Sequence, residues 1–107
     1  MELVDIIYND NNHEIFKLYL NDDITDIDFS IYTNHLKFDL DLNMFYEISY
    51  LLEGFILDNN STINKQKRIN LLNYLTKIYN YCMSKFNSFD KQHMKYIYDS
   101  CCSYLEN

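Results

Sequence analysis

Residues 22–43 read DDITDIDFSIYTNHLKFDLDLN, and this stretch decides the fold that we predict from the sequence. Apolar and polar side chains alternate along 26–31 and again along 36–41. Strict alternation is typical of a strand with one buried face and one wet face. A two-residue turn at Thr33-Asn34 would join the two strands as an antiparallel pair. The stretch therefore predicts a β-hairpin.

The predicted hairpin gathers four aspartates on its wet face, where Asp28 is opposite Asp39 and Asp26 is opposite Asp41. Directly opposed like charges destabilise a sheet by a few tenths to about 1 kcal/mol per pair. Folding alone gives little reason for such pairs, so they mark a candidate partner-binding surface. The candidate residues are these four, two aspartates at the hairpin entrance and two tyrosines of the wet face: Asp22, Asp23, Asp26, Asp28, Asp39, Asp41, Tyr19 and Tyr32.

Two further strands are predicted before the hairpin and three helices after it. Residues 3–8 and 13–20 have strand-like patterns and are separated by turn-forming asparagines and an aspartate. After the hairpin the apolar period changes from two to 3.6 residues, which indicates helices over 43–57, 63–86 and 91–105.

This order, strands first and helices afterwards, indicates an α+β domain. We expect a four-stranded antiparallel β-meander over residues 1–42, packed on one face by three C-terminal helices over residues 43–107. A length of 107 residues fits a single domain, and no linker or repeat divides the chain. The other face of the sheet, which would carry the aspartates, would be open to solvent.

Charge is distributed unevenly along the chain, whose formal net charge is −7. Residues 1–58 hold 13 acidic residues and two lysines, a net of −11, whereas residues 59–107 hold three acidic and seven basic residues, a net of +4. An acidic half repels nucleic acid and attracts a basic protein surface, such as a groove that holds DNA or RNA. The expected partner is a basic protein, such as a nuclease or another nucleic-acid-handling protein.

Membrane and secreted classes are disfavoured by the sequence. No apolar run approaches the ~18 residues that a membrane span needs, and the N-terminus carries acids where a signal peptide has lysines. Three cysteines, two of them adjacent, do not match a disulfide-stapled secreted domain. Many residues have A/T-rich codons, which indicates an A/T-rich microbe, phage or virus. We expect a cytoplasmic protein, in the host cytoplasm if a phage or virus encodes it.

No constellation of residues indicates catalysis or a cofactor, so we predict neither. The aspartates leave three alternatives open, namely a solvated face kept soluble by charge, an anionic docking surface, or a Mg²⁺ or Ca²⁺ site. No cysteine or histidine stands at zinc-ligand spacing from any of the three histidines, which are His13, His35 and His93.

Two other groups have plain structural interpretations. The adjacent Cys101 and Cys102 point about 100° apart on a helix, which favours core filling over a redox pair. The basic stretch KQKR, residues 65–68, begins a predicted helix, where cations oppose the helix dipole. Because the first half of the chain is so acidic, we expect the KQKR stretch to be a poor nucleic-acid-binding site.

A small, acidic chain without a catalytic motif resembles the phage-encoded anti-CRISPR inhibitors and other nucleic-acid mimics. The resemblance covers the whole chain and contains no diagnostic motif, so it assigns no residue a role. It implies an inhibitor, not an enzyme, that occupies a basic surface with carboxylates in place of phosphates. The alternatives are an immunity protein or antitoxin for a nuclease toxin, a small metal-dependent enzyme built on the aspartates, and a homo-oligomer that pairs through a sheet edge or helix face.

Overall fold

The computed structural model describes residues 12–35, 42–59, 62–85 and 88–106, and no strand occurs in these ranges. The chain divides into two compact units, Met1–Asp39 and Leu40–Asn107. The expectation of a single domain stays a prediction. The helices are α1 (Asn12–Leu20), α2 (Asp26–Asn34), α3 (Leu42–Asn59), α4 (Lys65–Lys85) and α5 (Ser88–Glu106).

The predicted α+β fold with its four-stranded sheet is wrong. Residues 13–20, predicted as the second strand, lie in α1, and residues 26–31, predicted as the first arm of the hairpin, lie in α2. The first predicted strand, 3–8, and the second arm, 36–41, lie outside the described residues. Because one arm is helical, the hairpin register that opposed aspartate to aspartate does not exist.

Helix α2 begins where Thr25 caps it. The Thr25 hydroxyl oxygen accepts a hydrogen bond from the backbone N–H of Asp28 at 3.1 Å, and Thr25 itself has extended backbone. Asp26 and Asp28 lie in the first turn of the helix. Negative charge there is stabilised by the helix dipole, by about 0.3–1 kcal/mol per charge at the surface. The stability of α2 therefore explains why aspartates occur at positions 26 and 28. The strand interpretation offered no such explanation.

Helix α1 ends in a Schellman motif at an acidic loop. The backbone N–H of Asp23 donates to the Leu18 carbonyl at 2.8 Å, and that of Asp22 donates to the Tyr19 carbonyl at 3.1 Å. Asp22 has a left-handed backbone, with a φ of 62°. Glycine usually occupies this position, but a short polar side chain also tolerates it. No glycine marks this helix end in the sequence, although the predicted element also ended at residue 20.

The two described helices of the N-terminal unit carry an aromatic cluster between them. The rings of Tyr19 and Phe29 are stacked, with centroids 4.0 Å and planes 6° apart. The Tyr32 ring is tilted against Phe29 at a centroid distance of 6.1 Å. Buried positions recur at helical and not at strand spacing: Ile15, Phe16, Tyr19 and Leu20 in α1, and Phe29, Tyr32 and Thr33 in α2.

Helices α3, α4 and α5 pack on one another in the C-terminal unit. Each begins and ends within three residues of its predicted bounds. Each buries one stripe of side chains at helical spacing. The fully buried side chains include Phe45, Ile48, Leu52 and Ile56 of α3, Leu71, Tyr74, Leu75, Ile78 and Cys82 of α4, and Met94 and Cys101 of α5.

Candidate functional site

The described acidic candidates cluster where α1 passes into α2. Asp22 and Asp23 are exposed in the Schellman loop, and Asp26 and Asp28 are half-buried in the first turn of α2. Four carboxylates therefore lie within residues 22–28, which we name the acidic segment. The other two acidic candidates lie outside the described residues: Asp39 and Asp41.

Tyr19 and Tyr32 do not lie on a solvent-exposed face as the strand pattern predicted. Their side chains are only 1% and 2% exposed, because helical periodicity turns both toward the core of the unit. The Tyr19 hydroxyl donates a hydrogen bond to Asp26 Oδ1 at 2.7 Å. This bond ties the acidic segment to the aromatic cluster and holds the Asp26 carboxylate in place. No sequence pattern predicts this bond, since the pair is seven residues apart in two different helices.

Negative charge concentrates in the N-terminal unit. Residues 1–39 hold nine acidic residues and two lysines, a net of −7, whereas residues 40–107 hold seven of each, a net of zero. Asp26 and Asp28 lie at a helix N-terminus, where anions are favoured. Asp22 and Asp23 follow the C-terminus of α1, where the dipole disfavours anions. The stability of α1 therefore does not explain this second pair.

The basic stretch 65–68 is largely built into the C-terminal unit. Asn64 Oδ1 caps α4 by accepting a hydrogen bond from the Lys67 backbone N–H at 2.8 Å. The Lys67 side chain is buried, with its ammonium 5.5 Å from the centroid of the Phe55 ring, a cation–π contact. The Arg68 guanidinium donates to the Tyr104 carbonyl at 3.0 Å. Two of the three cations in this stretch therefore make contacts that stabilise the fold.

The two adjacent cysteines occupy different environments on α5. Cys101 is buried, with its sulfur 3.9 Å from the Ser49 carbonyl oxygen, and burial raises its pKa to about 12. Cys102 is half-buried near the Tyr98 hydroxyl, and burial raises its pKa as well. The thiolate is the reactive and metal-binding form of cysteine. Burial therefore disfavours the reactive thiolate form of both side chains.

Stability should fall as the pH rises above 9, and Cys101 should contribute to that fall. A thiol whose pKa is raised in the folded state stabilises the fold below its unfolded pKa of 9.0, and this contribution is lost as the pH approaches about 12. Denaturant unfolding of the wild type and of Cys101→Ala between about pH 8 and about pH 11 measures this. The variant should lose less stability over that range, and parallel profiles would contradict the expectation.

A shallow concavity of about 380 Å³ runs along the outer side of α5, lined by Tyr96, Asp99, Ser100, Ser103 and Tyr104. All five belong to one helix, so polar groups do not converge on it from several elements, as they do in small-molecule sites. Among the described residues, no group of three or more His, Cys, Asp or Glu is arranged to hold a metal ion.

In the described ranges, none of the helices has the length and apolar character needed to cross a membrane. Comparison of the chain with protein-family models, with curated proteins and with solved structures finds no match. In the residues that the structure describes, every secondary-structure element is a helix. Two of these helices lie in the acidic N-terminal unit, and three lie in the C-terminal unit, whose net charge is zero.

Proposed function

We propose that the chain is a small acidic binding protein that occupies a basic, nucleic-acid-binding surface of another protein. The observation that carries the proposal is the charge of the N-terminal unit, −7 within residues 1–39 against zero in residues 40–107. A charge concentrated in this way attracts a basic partner over a distance and repels nucleic acid itself.

Binding acts by occupancy and involves no chemistry. Carboxylates of the acidic segment take the place of phosphates against lysines and arginines of the partner, through charge-assisted hydrogen bonds. Asp22 and Asp23 are exposed, and Asp26 and Asp28 are held in the first turn of a capped helix. Asp39 adds to the charge of the same unit. In this proposal the protein acts in the cytoplasm, and an anti-CRISPR-like inhibitor would act in the host cell.

The same charge also supports a second function, that of an immunity protein or antitoxin that neutralises a basic nuclease toxin. In both functions carboxylates of this protein would bind basic side chains of the partner. The two versions differ in what surrounds the gene. A toxin gene next to it would assign the immunity role, and a neighbourhood of phage genes would assign the inhibitor role.

Charge reversal in the acidic segment should weaken partner binding by about tenfold or more, which corresponds to about 1.4 kcal/mol. Asp23→Lys combined with Asp28→Lys replaces two attractive contacts with two repulsive ones. Capture on the immobilised protein from the source cells, followed by mass spectrometry, identifies the partner, and surface plasmon resonance gives its affinity and its salt dependence. The association rate of the wild type should fall steeply with salt.

The matched control is Asp58→Lys combined with Glu106→Lys. Both residues are exposed acids of the C-terminal unit, so the net charge changes by the same amount. The control should keep most of the affinity, and circular dichroism should show helical content unchanged in both variants. Wild-type affinity in the variant of the acidic segment, or an equal loss in the control, would count against a specific acidic docking surface.

A further inference from the structure

Helix α2 exposes two large aliphatic side chains on the side opposite its buried face. Ile27 is 73% exposed and Ile31 is 42% exposed. Residues four apart are neighbours on a helix surface, so the two form one apolar stripe. The side chains beside it are the exposed Ser30 and Asn34, which are short and polar. Helix α2 is therefore apolar both toward its own core and toward solvent.

Acidic residues edge this stripe. Successive residues of an α-helix point about 100° apart, so Asp26 and Asp28 flank Ile27 on its two sides at the N-terminal end of the stripe. The exposed Asp23 lies in the loop just before the helix. Helix α2, with the sequence DIDFSIYTN, contains no lysine or arginine. The outer face of α2 thus combines an apolar stripe with negative charge from its own helix.

We propose that the Ile27–Ile31 stripe docks into an apolar groove of the basic partner, with lysines or arginines of the partner on the rim of that groove. The proposal rests on the function proposed above. It adds which side of the acidic unit makes the contact, and that the contact needs an apolar surface as well as positive charge. The geometry is that of an amphipathic helix laid in a groove, read through anchors spaced i and i+4.

Charge complementarity selects this occupant over the others. A second copy would bring one unit of net charge −7 against another of the same charge. Nucleic acid and an anionic lipid surface would meet the same repulsion from a unit of net charge −7. A groove rimmed by lysines or arginines is the surface that satisfies both the isoleucines and the carboxylates.

The two kinds of contact have separable effects. Long-range attraction between charges speeds association and weakens with salt, whereas buried apolar contacts act chiefly on the dissociation rate. A protein that imitated only the phosphates of a nucleic acid would need no apolar anchor. The stripe therefore predicts a dissociation rate that depends on Ile27 and Ile31 and an association rate that depends on the aspartates.

Two synthetic helical peptides of equal positive charge serve as probes for the full-length protein. One carries a leucine stripe among its lysines, and the other has glutamine in place of every leucine. Fluorescence anisotropy should show that the wild type binds the leucine peptide about tenfold more tightly. Ile27→Ser combined with Ile31→Ser should abolish that preference and leave binding to the glutamine peptide unchanged.

The matched control is Leu57→Ser combined with Ile69→Ser, at C-terminal-unit positions that are 60% and 42% exposed. It should keep the preference. A second pair, Ile27→Gln with Ile31→Gln, uses a better helix former, so a loss in both pairs with helical circular dichroism cannot be ascribed to unfolding. The absence of a preference in the wild type, its persistence in the Ile27 and Ile31 variants, or its equal loss in the control would overturn the proposal.

A failure of the acidic docking surface can be distinguished from a failure of the apolar stripe, because the two give different results with the same peptides. If the glutamine peptide binds without salt dependence, or Asp23→Lys with Asp28→Lys leaves its affinity unchanged, the acidic docking surface falls whatever the isoleucine variants do. If the aspartate variants weaken binding and the isoleucine variants do not, only the apolar stripe falls. A concentration-dependent dimer in sedimentation that the isoleucine variants dissolve would assign the stripe to a second copy and overturn the proposed occupant.

Discussion

Replacing Phe29 with alanine should unfold the N-terminal unit. Phe29 is fully buried, its ring is stacked on Tyr19 at 4.0 Å, and it contacts Tyr32 at 6.1 Å between centroids. Truncating a buried phenylalanine costs about 3–5 kcal/mol. At about 0.05–0.15 kcal/mol per residue, residues 1–39 account for only about 2–6 kcal/mol of stability. The substitution therefore removes most or all of it.

Hydrogen exchange measures this outcome directly, because the backbone amides of α1 and α2 should lose their protection. Ile27→Ala is the control within the same helix, and its amides should exchange as in the wild type because Ile27 is mostly exposed. Retained protection in Phe29→Ala would show that the aromatic cluster does not hold the two helices together.

The same variant separates charge from shape in binding. Unfolding keeps the negative charge of the four aspartates within residues 22–28 but disperses the stripe of Ile27 and Ile31. Phe29→Ala should therefore bind the glutamine peptide much as the wild type does, through charge alone, and should lose its preference for the leucine peptide. A preference that survives unfolding would mean that the isoleucines act without the helix.

The error in the predicted fold has a local physical cause. Ile27, Phe29 and Ile31 alternate with polar residues, which over six positions is indistinguishable from a strand. In the structure this apolar set is divided, with Phe29 in the core and the two isoleucines outside. The competing signal was Thr25 followed three residues later by Asp28, a helix-start pattern.

The residues that misled the fold prediction are the ones now proposed to bind. With polar side chains at positions 27 and 31, the segment would read as an ordinary amphipathic helix that buries Phe29, Tyr32 and Thr33. Places where local pattern and fold disagree are expected at functional sites, because such residues are selected for something other than folding. The charge argument does not depend on the wrong fold, because net charge is counted along the chain, and the acidic candidates themselves stay predictions.

The C-terminal helices were placed well because each is 18 to 21 residues long and keeps its period throughout. The bounds of α4 do not by themselves say which of its faces is buried. Ile69 is 42% exposed, whereas Tyr74 is buried. The actual buried stripe contains Lys67 and Asn70. Hydrophobic periodicity cannot detect polar residues that are buried against specific partners, such as the Phe55 ring beneath the Lys67 ammonium.

Replacing Arg68 with glutamine should destabilise the C-terminal unit by about 1.5–3 kcal/mol, the range for hydrogen bonds to charged groups. The guanidinium donates from Nε to the Ile63 carbonyl at 3.2 Å, and from one terminal nitrogen to the carbonyls of Tyr104 at 3.0 Å and Leu105 at 3.5 Å. The last carbonyls of a helix have no partner within it and carry its negative dipole end. Arg68 thus caps α5 while anchoring the start of α4.

Lys65→Gln is the control, because it removes the same charge from the same turn of α4. Lys65 is exposed at the first residue of that helix, where a cation opposes the dipole. Its stability should be unchanged or slightly higher. Urea unfolding at neutral pH compares the midpoints of the two variants. Because their net charges are equal, a difference between the midpoints measures the hydrogen bonds of Arg68. Arg68→Lys should recover only part of the loss, since one ammonium cannot reproduce the planar fork that reaches both the Ile63 carbonyl and the end of α5. Equal midpoints for Arg68→Gln and Lys65→Gln would show that the unit responds to charge alone and that the cap on α5 contributes nothing.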